Sequence, residues 1–405
     1  MNHIPFSRVA ACIVFATLSA ATLPAQSLGA PQQNPSALAQ PSAKQRYDDE
    51  EKKLLADVQS AESSDAKPVD LTKALVNLAR FYQSHNRKVE LSPVLDRELA
   101  SAEKSWPPDD HEMRKTLEQI AGAYALCNPR ARAEQLMLRI LDMDTKAQGL
   151  NSQAVASDLL ALGRFTMYKT DSPDAENYFM KALAIDQVRK DDTGAAEVLR
   201  ALSTMARIQK NPEKADALLD RALESLKLNA DHNAIYISMI LTDRANTAIG
   251  RKDISAAIDY TQQSLEIDER RLGNDNPFLI GRLTFLADLY MQRGDVGPAE
   301  SSLQRALQIA DSNDKDAQHL SKVNPLLVLA RLDQREKKYT ESEATIKSAM
   351  ALQSAARGAD DPSLARASVQ LAELYHEQQK IPEAEAAATR AKVLGWKQQL
   401  REQKE

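Results

Sequence analysis

Eight small side chains recur along this chain at an almost constant interval, and no other feature restricts its fold so strongly. They are Ala79, Ala121, Gly163, Ser203, Ala245, Ala287, Ala330 and Ala372, separated by 42, 42, 40, 42, 42, 43 and 42 residues. Each heads a triplet. Ala287, Ala299 and Ala306 are twelve and seven residues apart, and the same steps find Ala121, Ala133, Ile140; Gly163, Ala175, Ala182; Ser203, Ala215, Ala222; Ala245, Ala257, Ser264; Ala330, Ser342, Ala349; and Ala372, Ala384, Ala391. The first copy, Ala79, Leu91 and Glu98, follows the pattern less well. Small residues at fixed steps in amphipathic segments imply helices that approach closely, because the ridges of one must enter the grooves of the next. Leu78, Ile120, Leu162, Leu202, Leu286, Leu329 and Leu371 precede the small residue, and Tyr82, Tyr124, Tyr290 and Tyr375 follow it one turn later, as expected of side chains that fill the space between helices. Arg244 stands in the leucine position of the fifth copy, which should make that copy the weakest internal joint.

The composition agrees with helix throughout. Aromatics make up 5% of the chain and only 12 of its 405 residues are glycine, while strong helix formers dominate. Almost no strand is expected. Proline punctuates the pattern independently. Pro93, Pro129, Pro173, Pro212, Pro298 and Pro382 fall at or just beyond the turn between the two halves of a copy. There a missing N–H costs nothing, since the first helical turn leaves it unpaired. Asn128, Ser172 and Asn211 stand in front of three of these prolines as capping residues. Pro107, Pro108, Pro277, Pro325 and Pro362 mark the joins between copies, so no proline has to sit in mid-helix. Each copy therefore reads as a helix hairpin, and hairpins must stack because one alone cannot bury its apolar face.

The order Leu-small, Tyr, small, small resembles the tetratricopeptide repeat (TPR), and the longer period is similar to that of its kinesin-light-chain-like subgroup. Residues 269–300 and 356–387 carry that subgroup's inter-repeat loop and hairpin. The resemblance covers about residues 70 to 398 and implies an all-α fold, a right-handed superhelical solenoid of about eight TPR-like helix hairpins. The repeats are expected near 72–105, 114–147, 156–189, 196–229, 238–271, 280–313, 323–356 and 365–398, within a solenoid of 71–398. A polar capping helix is expected over 46–70 and a charged tail over 399–405. In the subgroup an asparagine often faces the groove before the Leu-Ala pair, as Asn77 does here. The other copies have Gln119, Ala161, Ala201, Asp243, Phe285, Val328 and Gln370, so the subgroup's cargo recognition does not transfer.

Ahead of the repeats, Arg8 precedes an uncharged apolar run from Val9 to Leu23. That is secretory-signal architecture. The run is shorter than the roughly 20 residues of a comfortable membrane-spanning helix. Cleavage is expected after Ala25 or Ala21, giving an exported, periplasmic or secreted protein, with an uncleaved anchor as the alternative. VAAC at 9–12 is similar to a lipobox, but most of the apolar run comes after Cys12, so lipidation is not expected. Residues 26–45 read as a flexible Pro/Gln/Ser/Ala spacer. After processing only Cys127 would remain, which allows no intrachain disulfide and suits a small buried hydrophobe. Loss of Arg8 takes the formal charge from -5 to -6, which argues against nucleic-acid binding. No membrane contact is expected beyond the signal segment.

Catalytic signatures are missing from the sequence: it contains no GxxxxGK[ST], HExxH or GxSxG. His111 and His232 lie between copies with no second ligand at zinc spacing, and LDMDTKAQG at 141–149 lacks most of a calcium loop's ligands. Neither enzymatic activity nor a cofactor or metal is expected. The informative surface is the side of the first helices, which line the concave face of stacked hairpins. Positions facing it include the cations Lys73, Arg80, Lys115, Arg164, Arg200, Arg207, Arg331, Arg335 and Arg366, against Glu118, Glu197, Asp288, Glu373 and Glu377. Solvated helix charges produce such a pattern too. The functional expectation is a protein-interaction scaffold whose groove holds a protein or peptide partner, an acidic or C-terminal segment, against Arg80, Arg164, Arg207, Arg331, Arg335 and Arg366. The alternative is a self-associating assembly factor or adaptor for cell-envelope machinery. The sequence leaves the oligomeric state open.

Overall fold

A computed structural model describes residues 43–63, 67–85, 87–126, 130–168, 173–313 and 320–403. The signal segment, nearly all of the spacer, Asn128, Ser172 and Cys127 lie outside the described residues. The chain divides into residues 1–49 and 50–405. Of the first unit the described part is the opening of α1 (Ala43–Ala61). The second holds the rest of α1 and eight helix pairs: α2 (Pro68–Ser84) and α3 (Lys88–Ser105), α4 (His111–Leu126) and α5 (Arg130–Gln148), α6 (Gln153–Thr166) and α7 (Pro173–Arg189), α8 (Asp192–Ile208) and α9 (Pro212–Leu226), α10 (Ala234–Gly250) and α11 (Ile254–Leu272), α12 (Leu279–Arg293) and α13 (Val296–Asn313), α14 (Val323–Arg335) and α15 (Tyr339–Arg357), α16 (Ala365–Glu377) and α17 (Ile381–Gln403). Among the described residues there is no strand. The fold is an all-helical solenoid. From α2 onward each helix packs on the next, and α17 also comes against α3, so the stack curves back on itself.

The hairpins close where the side chains are smallest. Ala79, Ala121, Gly163, Ser203, Ala245, Ala287 and Ala330 are buried and Ala372 is half-buried. Their partners on the second helices, Ala133, Ala175, Ala215, Ala257, Ala299 and Ser342, are fully buried. Ser342 Oγ donates to the Ala330 carbonyl oxygen at 2.8 Å, a bond from a side chain of one helix to the backbone of its partner that requires close passage. Gly163 carries this furthest. A Cβ there would stand 2.4 Å from a ring carbon of Phe179. Sixteen residues after the leading small residue the other copies have Leu95, Met137, Leu219, Thr261, Leu303, Ile346 and Ala388, so the missing side chain makes room for the one aromatic ring in this series. The tyrosines tie four of the hairpins to the helix before them. Tyr82 donates to Glu51, Tyr124 to Asp96 and Tyr375 to Glu343, while Tyr290 accepts from Gln262. Each ring thereby fills apolar space while its hydroxyl finds a partner.

The turns inside the hairpins repeat as closely as the packing does. Lys210, Lys252, Gly294, Lys337 and Gln379 all adopt positive φ between 58° and 96°. In each case the next residue's N–H reaches back to the first helix, as from Asp253 to Ala248 O at 2.9 Å and Lys338 to Asp333 O at 2.8 Å. This closes the helix with a left-handed residue and a backward bond. Asn211 and Asp253 then cap the second helix by accepting from Lys214 N and Ala256 N, each at 3.0 Å.

Two expectations need correction. Pro93 lies inside α3, because that helix begins at Lys88, a full turn earlier than the proline implies. Its start is held by Arg87, whose guanidinium bridges Glu51 and Glu90 at 2.6 Å each. The capping helix ends at Ala61, and α2 starts afresh at Pro68, whose ring suits the first helical position. Arg244 is half-buried in α10, lies 5.4 Å over the Tyr260 ring and pairs with Asp220. The fifth joint thus replaces an apolar contact with a cation on an aromatic face.

Gly163→Ala is expected to lower stability by about 1–3 kcal/mol, read from the urea midpoint, and Phe179→Leu in the same chain should recover most of the loss. Lys252→Gly and Lys337→Gly should each raise stability by about 0.5–1 kcal/mol, because a left-handed position costs a lysine more than glycine's entropy costs the fold.

Candidate functional site

The first helices of successive hairpins form one wall: α6 meets α8, α8 meets α10 and α12 meets α14. Most arginines on that wall are bonded to the neighbouring hairpin. Arg164 lies 3.5 Å from Glu197, Arg200 is 2.7 Å from Asp243 and Arg331 is 2.7 Å from Asp288. Arg335 donates to the Met291 carbonyl oxygen at 2.6 Å and Arg366 to Asn324 Oδ1 at 3.1 Å. Gln370 donates to the Leu327 carbonyl oxygen at 2.8 Å. Arg80 is exposed, and among the described residues it makes no ion pair. Arg207 is half-buried and its Nε finds no partner there. The cation stripe read from the sequence is therefore largely a ladder of bonds between repeats. Its signal was available: Arg200 and Asp243 are 43 residues apart, one repeat plus one position, and Asp288 and Arg331 are also 43 apart, the same position one repeat on.

Behind the wall lies a second polar series that periodicity of small residues does not reveal. Twenty-three residues after the leading small residue, the second helices of three copies carry Asp144, Asp186 and Asp268, each about 2% exposed or less. Arg114 grips Asp144 with Nε at 2.8 and 2.9 Å and Nη2 at 2.7 Å. Asp158 sits beside this pair, and burial, with the Asp144 charge second, holds its carboxyl well above the usual range. Arg282 pairs with Asp268, and Ser238 donates to Asp268 at 2.9 Å while receiving a bond from Arg282 at 3.1 Å. Ser264 and Thr242 complete this network between α10, α11 and α12. A buried pair of this kind adds little net stability but penalises any register that breaks it.

Glu98 is the outlier of the weak first copy. It occupies the small-residue position of α3 at 2% exposure, and burial pushes its carboxyl up to about 8, with Arg80 only partly opposing.

Two openings flank Asp186. One of about 160 Å³ lies between α6, α8 and α10 and is lined by Ala156, Ser157, Thr193, Gly194, Glu197 and Tyr236. The other, of about 570 Å³, lies between α7, α8 and α9 and includes Lys190, Arg221 and Glu224. Among the described residues no three His, Cys, Asp or Glu side chains are grouped to hold a metal, and no helix is long and apolar enough to cross a membrane.

Between the usual glutamate value of 4.5 and about 8, the folded chain keeps a proton on Glu98 that the unfolded chain has released, so stability falls as pH rises through that window. Glu98→Gln should flatten this slope by at most about 1.4 kcal/mol per pH unit. Urea midpoints measured across the window check it, and an unchanged slope would place the proton elsewhere.

Residues 323–392 match the tetratricopeptide repeat family model. Nothing matches among curated proteins. Among solved structures, the apo form of the quorum sensor NprR from B. thuringiensis is 12% identical, with 87% of this chain and 94% of that chain covered and a TM-score of 0.55. Yeast Tom70 is 17% identical over 87% of this chain and 65% of that chain, with a TM-score of 0.48. BtubC (BKLC) from P. vanneervenii is 16% identical over 57% and 94%, with a TM-score of 0.42. At these identities the likeness speaks to fold alone. The chain carries tetratricopeptide repeat over residues 323–392, and its other hairpins continue the same all-helical solenoid.

Proposed function

We propose that this protein is a non-catalytic interaction scaffold that holds a polypeptide segment along the wall of first helices. The observation that carries the reading is the ladder of bonded side chains. Arg164, Glu197, Arg331 and Asp288 are 47, 32, 39 and 32% exposed while bonded to one another, so their free edges face outward at fixed positions. A segment laid across them meets polar groups whose ordering cost has already been met by the fold. Because the ladder cancels much of the positive charge, an acidic stretch is best received where cations make no ion pair among the described residues, at Arg80 and Arg207. The N-terminal segment supports a second element of the proposal, export with cleavage after Ala25 or Ala21, which N-terminal sequencing of the secreted or periplasmic protein tests.

A photo-crosslinking residue placed at Lys73, Arg80, Arg207 or Arg366 in cells of the native host should yield a common adduct by mass spectrometry. The same residue at Lys181 or Lys347, exposed on second helices, should not. Adducts of equal yield from both sets would overturn the wall as the binding face. Charge reversal at Arg80 and Arg207 that left the yield from Lys73 and Arg366 unchanged would remove the acidic preference.

A further inference from the structure

Three hairpins place a buried aspartate at the same step of the second helix, and the molecule itself supplies a cation to two of them. Asp144 is gripped by Arg114 from the first helix of its own hairpin. Asp268 is paired with Arg282 from the first helix of the next. For Asp186 both sources are missing. Counted from the leading small residue, the position of Arg114 is taken by Ala156 and that of Arg282 by Val198. Asp186 is 2% exposed, and among the described residues its Oδ1 has no hydrogen-bond partner.

The space that an arginine at 156 would fill is open. Ala156 and Asp186 both line the 160 Å³ opening between α6, α8 and α10. Its other charged walls are Asp191 and Glu197. Asp191 is engaged in capping α8, accepting from Gly194 N at 2.9 Å and Thr193 Oγ1 at 2.8 Å, and Glu197 faces Arg164 at 3.5 Å. Arg189 lies nearby, but its guanidinium donates to Gln153 Oε1 at 3.1 Å and the Asn151 carbonyl oxygen at 3.5 Å. Gly194 keeps the site clear, since a Cβ there would come within 2.8 Å of the Asp186 carboxyl carbon. Tyr236 offers an aromatic wall of the kind that guanidinium groups favour. The larger opening on the other side of Asp186 already holds Lys190 and Arg221, and Gly194 and Ala156 do not line it.

We infer that the opening beside Asp186 is a subsite for the guanidinium or ammonium end of a basic side chain, which takes the place that Arg114 occupies beside Asp144. That the side chain belongs to a bound polypeptide rests on the reading of the wall given above; the preference for a cation does not. A segment that binds this scaffold then carries a basic residue opposite α6 to α10, whatever its charge elsewhere.

The isolated carboxyl explains the expected pH dependence. Burial, with the Asp191 charge second and Glu197 also raising it, pushes Asp186 up to about 6 against the opposing charge of Arg189, so a cation should bind its ionised form. Carbon-detected NMR of the Asp186 carboxyl, with Nα-acetyl-arginine amide as probe and its neutral citrulline counterpart as control, reads this directly. The arginine probe should shift the Asp186 and Gly194 signals and bind roughly tenfold more weakly at pH 5 than at pH 7.5, and the citrulline probe should not bind. Asp186→Asn should abolish binding without moving the circular dichroism spectrum. Ala156→Arg should occupy the site from within, lowering the Asp186 titration midpoint and blocking the probe; should that variant fail to fold, the wild-type and Asp186→Asn titrations decide alone. No binding by the wild type, equal binding of citrulline, or binding that survives Asp186→Asn would each overturn the subsite. Crosslinks from the wall that persist in any of these cases would leave the scaffold reading standing.

Discussion

The structure depends on how closely two helices of a hairpin can approach. A side chain no larger than serine at the crossing lets the ridges of one helix sit in the grooves of the other, and the other regularities of the hairpins follow from that spacing. The bond from Ser342 to the Ala330 carbonyl shows the closeness achieved, and Gly163 shows its limit, because there even a methyl group would collide with Phe179. Once the crossings are fixed, the turn between the helices has little freedom. Four non-glycine residues are held in the left-handed region at equivalent turns because the tertiary packing overrides their own preference.

Apolar contact alone does not set the register of the stack. Buried aspartates at one step of the second helices are matched by arginines that reach across from first helices, and the sixth hairpin is joined to the fifth through the network of Ser238, Ser264, Asp268 and Arg282. Such joints contribute specificity more than stability, since desolvation offsets most of the attraction. Glu98 is the contrasting case. It buries a carboxyl at a position that other copies give to small residues, and the fold holds it protonated over a wide range of pH.

The wall of first helices is therefore both a structural seam and a surface. Its arginines join neighbouring hairpins through one edge and present the other to solvent, which fixes the groups a partner would meet. Where the seam lacks its arginine, beside Asp186, the same chemistry is left for an outside cation to complete. The inter-repeat connection at that point is also the shortest: Arg189 ends α7 and Asp192 begins α8, with Lys190 in the left-handed region between them.

By itself the sequence determined the all-helical class and a solenoid of about eight hairpins, because those depend on side-chain size at short, regular intervals. The shortened joint between α7 and α8 is what makes the step from Gly163 to Ser203 only 40 residues. The sequence misplaced the start of α3, where Arg87 and its two glutamates outweigh the boundary that Pro93 suggests. It also overstated the free positive charge, since a tally along first helices does not show that Arg200 finds Asp243, or Arg331 finds Asp288, one repeat away. Only the tertiary structure decided which charges cancel and which carboxylate stays alone. Pairing depends on distances across three helices at once, and no interval along the chain encodes the empty space left by Ala156 and kept open by Gly194.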